Sequence, residues 1–142
     1  MFASTGILQY NPGKGLKHYV PWWALLTCDE ISSYYAWHLK RYGMEVYPNN
    51  KGLWGTHISV LKGEVPSKPE LWGKYEQFEV EFYYSQVIRY DNGEHAWVDV
   101  YSEDLSAIRE EMGFPFKPWY HLTIGRLVRP FKHTLDFSLD VT

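Results

Sequence analysis

The chain has one cysteine, Cys28, so it can form no internal disulfide and nothing in it points to secretion. It has no apolar run near the roughly 18 residues that a membrane span needs. Its first residues, MFASTGILQY, lack the basic and long apolar regions of a signal peptide, and a cytoplasmic location is expected. It has no surplus of positive charge either: 14 Lys and Arg stand against 17 Asp and Glu, for a net charge of -3. A protein that wraps a long nucleic-acid backbone needs many phosphate-neutralising cations, so that class of partner is not expected. A small phosphorylated ligand in a local pocket is still compatible with the charge. No low-complexity tract or linker divides the 142 residues, and the length suits one domain.

Aromatic residues, in contrast, are abundant. Seven Trp, twelve Tyr and seven Phe make up 18% of the chain, within a hydrophobic total of 45%. Such a chain can build a substantial core, and disorder is excluded over most of its length. Gly6 to Lys17 reads as a leading loop, within a segment 1–18 of loop or strand. The apolar run from Tyr19 to Cys28 reads as a buried strand, and Asp29 to Arg41 as a helix with Gly43 beyond its end. Thr56 to Leu61 is the next strand, and Val65 to Lys74, with two prolines, an irregular excursion. Phe78 to Tyr84 alternates, placing Phe78, Val80, Phe82 and Tyr84 on one face and Glu79 and Glu81 on the other. Asp91-Asn92-Gly93 signals a hairpin into HAWVDVY. Ser102 caps a second helix, and Trp119 to Val128 is a further strand. The order strand, helix, strand, then strands, helix, strand predicts an α+β fold with hairpins. Residues 129–142 form a tail to which no role attaches.

The sharpest internal signal is a repeated pair of histidines. His57-Ile58-Ser59-Val60-Leu61-Lys62 and His121-Leu122-Thr123-Ile124-Gly125-Arg126 share a His, an aliphatic, a hydroxyl residue, another aliphatic, and a cation five positions after the His. Strand periodicity puts His57 with Ser59, and His121 with Thr123, on one face each. Two strand–helix–strand halves packed about a pseudo-twofold axis would bring these four side chains together. The chemistry of such a group is recognisable. Phosphodiester cleavage wants a base for the attacking oxygen and an acid for the leaving one, and two imidazoles supply both near neutral pH. Hydroxyl groups hold the non-bridging oxygens, and no metal or cofactor is needed.

The paired motif resembles that of the 2H phosphoesterase superfamily, whose members carry two H-Φ-[ST]-Φ motifs (Φ hydrophobic) on pseudosymmetric lobes. His57-Ile58-Ser59-Val60 and His121-Leu122-Thr123-Ile124 match in full, although Ser59 stands where many members have Thr. The sequences WWALL, WGTHISVLKGE and WYHLTIGR look most similar to phage anti-CBASS proteins, which degrade cyclic oligonucleotide signals of bacterial immunity. The resemblance implies a single bilobal α+β domain with antiparallel sheets facing a central cleft. It also implies a metal-independent phosphodiesterase acting on cyclic oligonucleotides in the host cytoplasm. His57, Ser59, His121 and Thr123 would be catalytic, with either His as the base. An RNA-end enzyme acting on 2′,3′-cyclic phosphates or 2′-5′ linkages, and a non-catalytic nucleotide sponge, are the alternatives.

Other residues bear on the same site. Trp22, Trp23, Trp54 and Trp72 could stack on bases; Trp22 and Trp72 are the better candidates, while Trp23, in the apolar run, reads as core. Arg126 is a candidate phosphate contact if Gly125 permits a bulge; Lys62 reads as a solvated strand end on the face opposite His57. His18, His38, His95 and His133 lack the repeated context, and with Cys28 they show no close ligand spacing for zinc. Glu103, Asp104, Glu110 and Glu111 read as a solvated helix face.

Overall fold

A computed structural model describes residues 1–17, 19–41, 46–48, 56–90, 95–127 and 135–136. Its strands are β1 (Phe2–Tyr10), β2 (Trp23–Thr27), β3 (Val46–Pro48), β4 (His57–Lys62), β5 (Glu79–Tyr90), β6 (His95–Tyr101), β7 (Trp119–Leu127) and β8 (Leu135–Asp136). Two α-helices interrupt them, α1 (Asp29–Arg41) and α2 (Glu103–Glu111). The antiparallel order β1-β2-β4-β7-β6-β5 closes on itself because β1 also pairs with β5, from Phe2 opposite Tyr84 to Ile7 opposite Glu79. The result is a closed six-strand barrel, with β3 added to β7 and β8 to β5.

Inside and outside follow from alternation. Ala96, Val98 and Val100 of β6 are fully buried, as are Ile58 of β4, Leu122 and Ile124 of β7, and Phe82 of β5. Both helices add to this same core. Ile31, Tyr35 and Leu39 recur every four residues in α1, and Leu105, Ile108 and Met112 line one side of α2. Three antiparallel pairings separate β2 from β6, so the helices that follow them start at opposite ends of the barrel. Ser102 caps α2: its Oγ accepts from the Leu105 N–H at 3.2 Å and donates to the Glu81 carbonyl at 2.7 Å.

The architecture corrects the expected one. Among the described residues there are no two lobes with open sheets facing a central cleft, and the structure is mostly sheet with two short helices. Each half would have presented free edges. Instead the hairpins β1–β2 and β5–β6 join through β1–β5, while β4 joins β7, so every edge of the ring is paired. The motif strands are therefore neighbouring staves of one barrel.

Smaller corrections have local causes. The segment beginning at Gly6, expected to be a loop, lies in β1 as far as Tyr10. Gly6 is there because the backbones approach closely: a Cβ would lie 2.5 Å from the Thr27 carbonyl oxygen. β2 starts only at Trp23, since Trp22 takes a positive φ of 55°. Phe78 precedes β5 and is 55% exposed, so it does not share the inward face of Val80 and Phe82. The hairpin turn at Asp91-Asn92-Gly93 lies outside the described residues, although Tyr90 and Ala96 pair on either side of it.

Candidate active site

The motif strands meet at Ile58 and Leu122, which face each other across β4 and β7 and are both fully buried. Alternation then sends their neighbours outward, and opposed residues in an antiparallel pair share a face. Continuing the register puts His57 beside Thr123 and Ser59 beside His121. The histidines are thus diagonal neighbours on the outer wall, a relation that separates backbones by about 7–8 Å. His57, Ser59 and Thr123 are half-buried and His121 is exposed. A phosphate accepting from an imidazole on either side fits such a spacing.

Flanking strands complete the patch. On the β2 side, Trp23 stands edge-on to His57 with ring centroids 5.8 Å apart, and its indole N–H donates to Ser59 Oγ at 3.1 Å. Trp23 is buried, as the apolar run predicts, yet its contacts are with the motif. On the β6 side, Trp97 lies opposite Thr123 and 6.1 Å from the His121 ring. Asp99 lies opposite His121 and forms an ion pair with Arg89 at 3.0 Å. Trp119, two positions before His121, is 51% exposed and packs on Tyr101 at 5.9 Å. Sequence reasoning missed Trp97, Asp99 and Trp119. Their signal was the alternation of HAWVDVY against WYHLT, legible only once the two strands are known to be adjacent.

Both motif strands also bulge at the same place. Opposite β2, Leu25 pairs with Ser59 and Ala24 with Leu61, leaving Val60 unopposed. Opposite β6, Trp97 pairs with Thr123 and Ala96 with Gly125, leaving Ile124 unopposed. Each extra residue lies three positions after its His and resets the alternation. Lys62 consequently lies opposite Trp23, with its ammonium 4.5 Å from the indole centroid. The expectation that Lys62 faces away from His57 is corrected by that bulge. Arg126 pairs through its backbone with His95 and Tyr47; its side chain lies outside the described residues.

The remaining candidates make contacts of their own. Trp22 and Trp72 pack edge-to-face on each other at 5.1 Å, and Trp72 packs on Tyr10 at 4.9 Å and donates to Asn11 Oδ1 at 3.2 Å. They are engaged in packing: among the described residues, their ring contacts are with each other and with Tyr10. His38 is buried in α1 and stacked on Tyr34 at 5.7 Å. Cys28 is buried. His18, Trp54 and His133 lie outside the described residues. Among the described residues, no three His, Cys, Asp or Glu converge to hold a metal ion. Glu111 departs from a merely solvated role, because Lys74 and Tyr75 both donate to its carboxylate. Those hydrogen bonds hold its pKa below the usual carboxylate range.

Comparison of the chain with protein-family models, with curated proteins and with solved structures finds no match. The reading of the site therefore rests on its own chemistry: two imidazoles and two hydroxyls on one wall, bordered by two tryptophans and a lysine.

Proposed function

We propose that this chain is a metal-independent phosphodiesterase that cleaves 3′-5′ bonds of cyclic oligonucleotide second messengers, in the cytoplasm, and so counters CBASS immunity. The observation that carries the reading is the juxtaposition of the two H-Φ-[ST]-Φ motifs through Ile58 and Leu122. One His takes the proton of a ribose 2′-hydroxyl as its oxygen attacks the adjacent phosphorus. The other gives a proton to the departing 5′-oxygen. The immediate product is a 2′,3′-cyclic phosphate, which water opens with the two roles exchanged. Ser59 and Thr123 donate to non-bridging oxygens as charge builds there. The diagonal relation favours one imidazole on each side of the phosphorus. The net charge of -3 favours a small substrate over a long strand.

Incubation with cyclic di- and trinucleotides in EDTA, followed by chromatography, tests the proposal. Linear products formed without metal are expected. Intact ligand that stays bound contradicts the enzyme reading in favour of a sponge. Turnover confined to linear RNA ends contradicts the cyclic substrate in favour of an RNA-end phosphodiesterase.

A further inference from the structure

The β4 bulge at Val60 has a chemical consequence beyond the histidine pair. In an unbroken strand, a residue five positions after His57 faces the other way; here Lys62 stands opposite Trp23 on the His57 face. It is exposed, and among the described residues it has no carboxylate partner; its contact is the face of the Trp23 indole at 4.5 Å. The same indole donates from its edge to Ser59 Oγ at 3.1 Å. One rigid, buried ring thus fixes an ammonium above its face and a hydroxyl at its rim. Because Ser59 Oγ accepts from the indole, its own proton is left to donate outward. Ammonium and hydroxyl both lie within reach of a single phosphate, whose oxygens take charge-assisted hydrogen bonds of about 2.7–2.9 Å.

We propose that Lys62 is a substrate-binding residue of this site: its ammonium holds a non-bridging oxygen of the phosphodiester that Ser59 also contacts. Trp23 is the positioning residue that sets both. The inference rests on the proposed function of the histidine pair, and it adds a cation from outside the two motifs.

The test is steady-state kinetics on cyclic di-AMP, cyclic di-GMP and the linear dinucleotide ApA, comparing the unsubstituted protein with Lys62→Gln, Lys62→Arg and His57→Ala. Removing a hydrogen bond to a charged group should lower kcat/KM of Lys62→Gln about 10–100-fold. Lys62→Arg should recover most of that loss. Raising NaCl from about 50 to about 200 mM should slow the unsubstituted protein more than Lys62→Gln, because the screened attraction is already gone from the variant. If a probe binds without cleavage, the same comparison is read in Kd. Unchanged kcat/KM in Lys62→Gln beside an inactive His57→Ala overturns the Lys62 assignment and leaves the histidine reading standing. A loss that Arg does not recover and salt does not modulate overturns it as well, by showing a structural role. No binding and no turnover of any probe by the unsubstituted protein overturns both readings together.

Discussion

At the scale of single residues, Trp23 shows how a buried side chain can reach the proposed surface site. Its ring is core by exposure, but its N–H is spent on Ser59. Trp23→Phe keeps an aromatic ring there and removes the donor. We expect kcat/KM to fall about 3–10-fold, the scale of one neutral hydrogen bond, and Ser59→Ala to cost more, because it also removes the phosphate contact. The double variant should lose little more than Ser59→Ala alone, since the indole N–H acts through the Ser59 hydroxyl. A double-mutant cycle in kcat/KM measures this; strictly additive losses contradict it. The run YVPWWALLTC could not reveal that role, because a continuous apolar stretch carries no phase and hence no indication of which Trp faces which partner. That His57 and Ser59 share a face, as do His121 and Thr123, was legible because both motifs alternate cleanly with aliphatic residues. The facing of Lys62 was not, since a bulge leaves no mark in the local sequence when its extra residue is an ordinary valine.

At the scale of elements, the helices and motif strands were the most legible parts. α1 runs over the residues that its apolar spacing predicts, and α2 begins at its serine cap. Ser102→Ala removes both the cap and the bond to the Glu81 carbonyl. It should destabilise the protein by about 1 kcal/mol or somewhat more, seen as a lower urea midpoint at unchanged slope. A midpoint equal to that of the unsubstituted protein contradicts this account of the cap. β1 was illegible for the opposite reason. Its glycine, serine and threonine resemble a loop, and only the closeness of Thr27 explains why Gly6 belongs in a strand. Gly6→Ala should therefore cost about 2 kcal/mol or more, as backbone and side chain move to admit one methyl group. The same urea titration measures it, and a loss under half that size contradicts the close approach.

At the scale of the whole molecule, closure into a barrel could not be read from element order. The order strand–helix–strand, twice, is compatible with two facing sheets or with one ring, and what decides is whether β1 reaches β5. That contact joins residues distant in sequence through backbone hydrogen bonds, which residues of almost any type can form. Charge also acts at this scale. Lys74 and Tyr75 join the loop before β5 to Glu111 at the end of α2. The Glu111 pKa is held below its ordinary value, chiefly by the Lys74 hydrogen bond, and the Lys74 pKa is held above its own, chiefly by Glu111. A lowered carboxylate contributes stability above its unfolded value and loses it as pH falls through the folded one. A raised ammonium contributes below its unfolded value and loses it as pH climbs through the folded one. The pair is thus intact near neutrality and weakens at both ends. The difference in urea midpoint between the unsubstituted protein and Glu111→Gln should shrink on acidification from about pH 7 to about pH 3. A difference that stays constant or grows contradicts the assignment.

The central claim is that His57 and His121 act as one acid–base pair on the barrel wall. Its most direct test is kcat/KM in EDTA for His57→Ala, His121→Ala and the double variant on the cyclic oligonucleotide that the unsubstituted protein cleaves, with thermal unfolding as a check on folding. Both side chains project from the outer wall, so all three variants should unfold near the temperature of the unsubstituted protein. Each single substitution should reduce turnover by about 10²–10⁴-fold. The double should fall no further than the worse single, as for residues acting as a unit. Single variants that keep nearly full turnover, or activity that vanishes in EDTA and returns with a divalent ion, would contradict the claim.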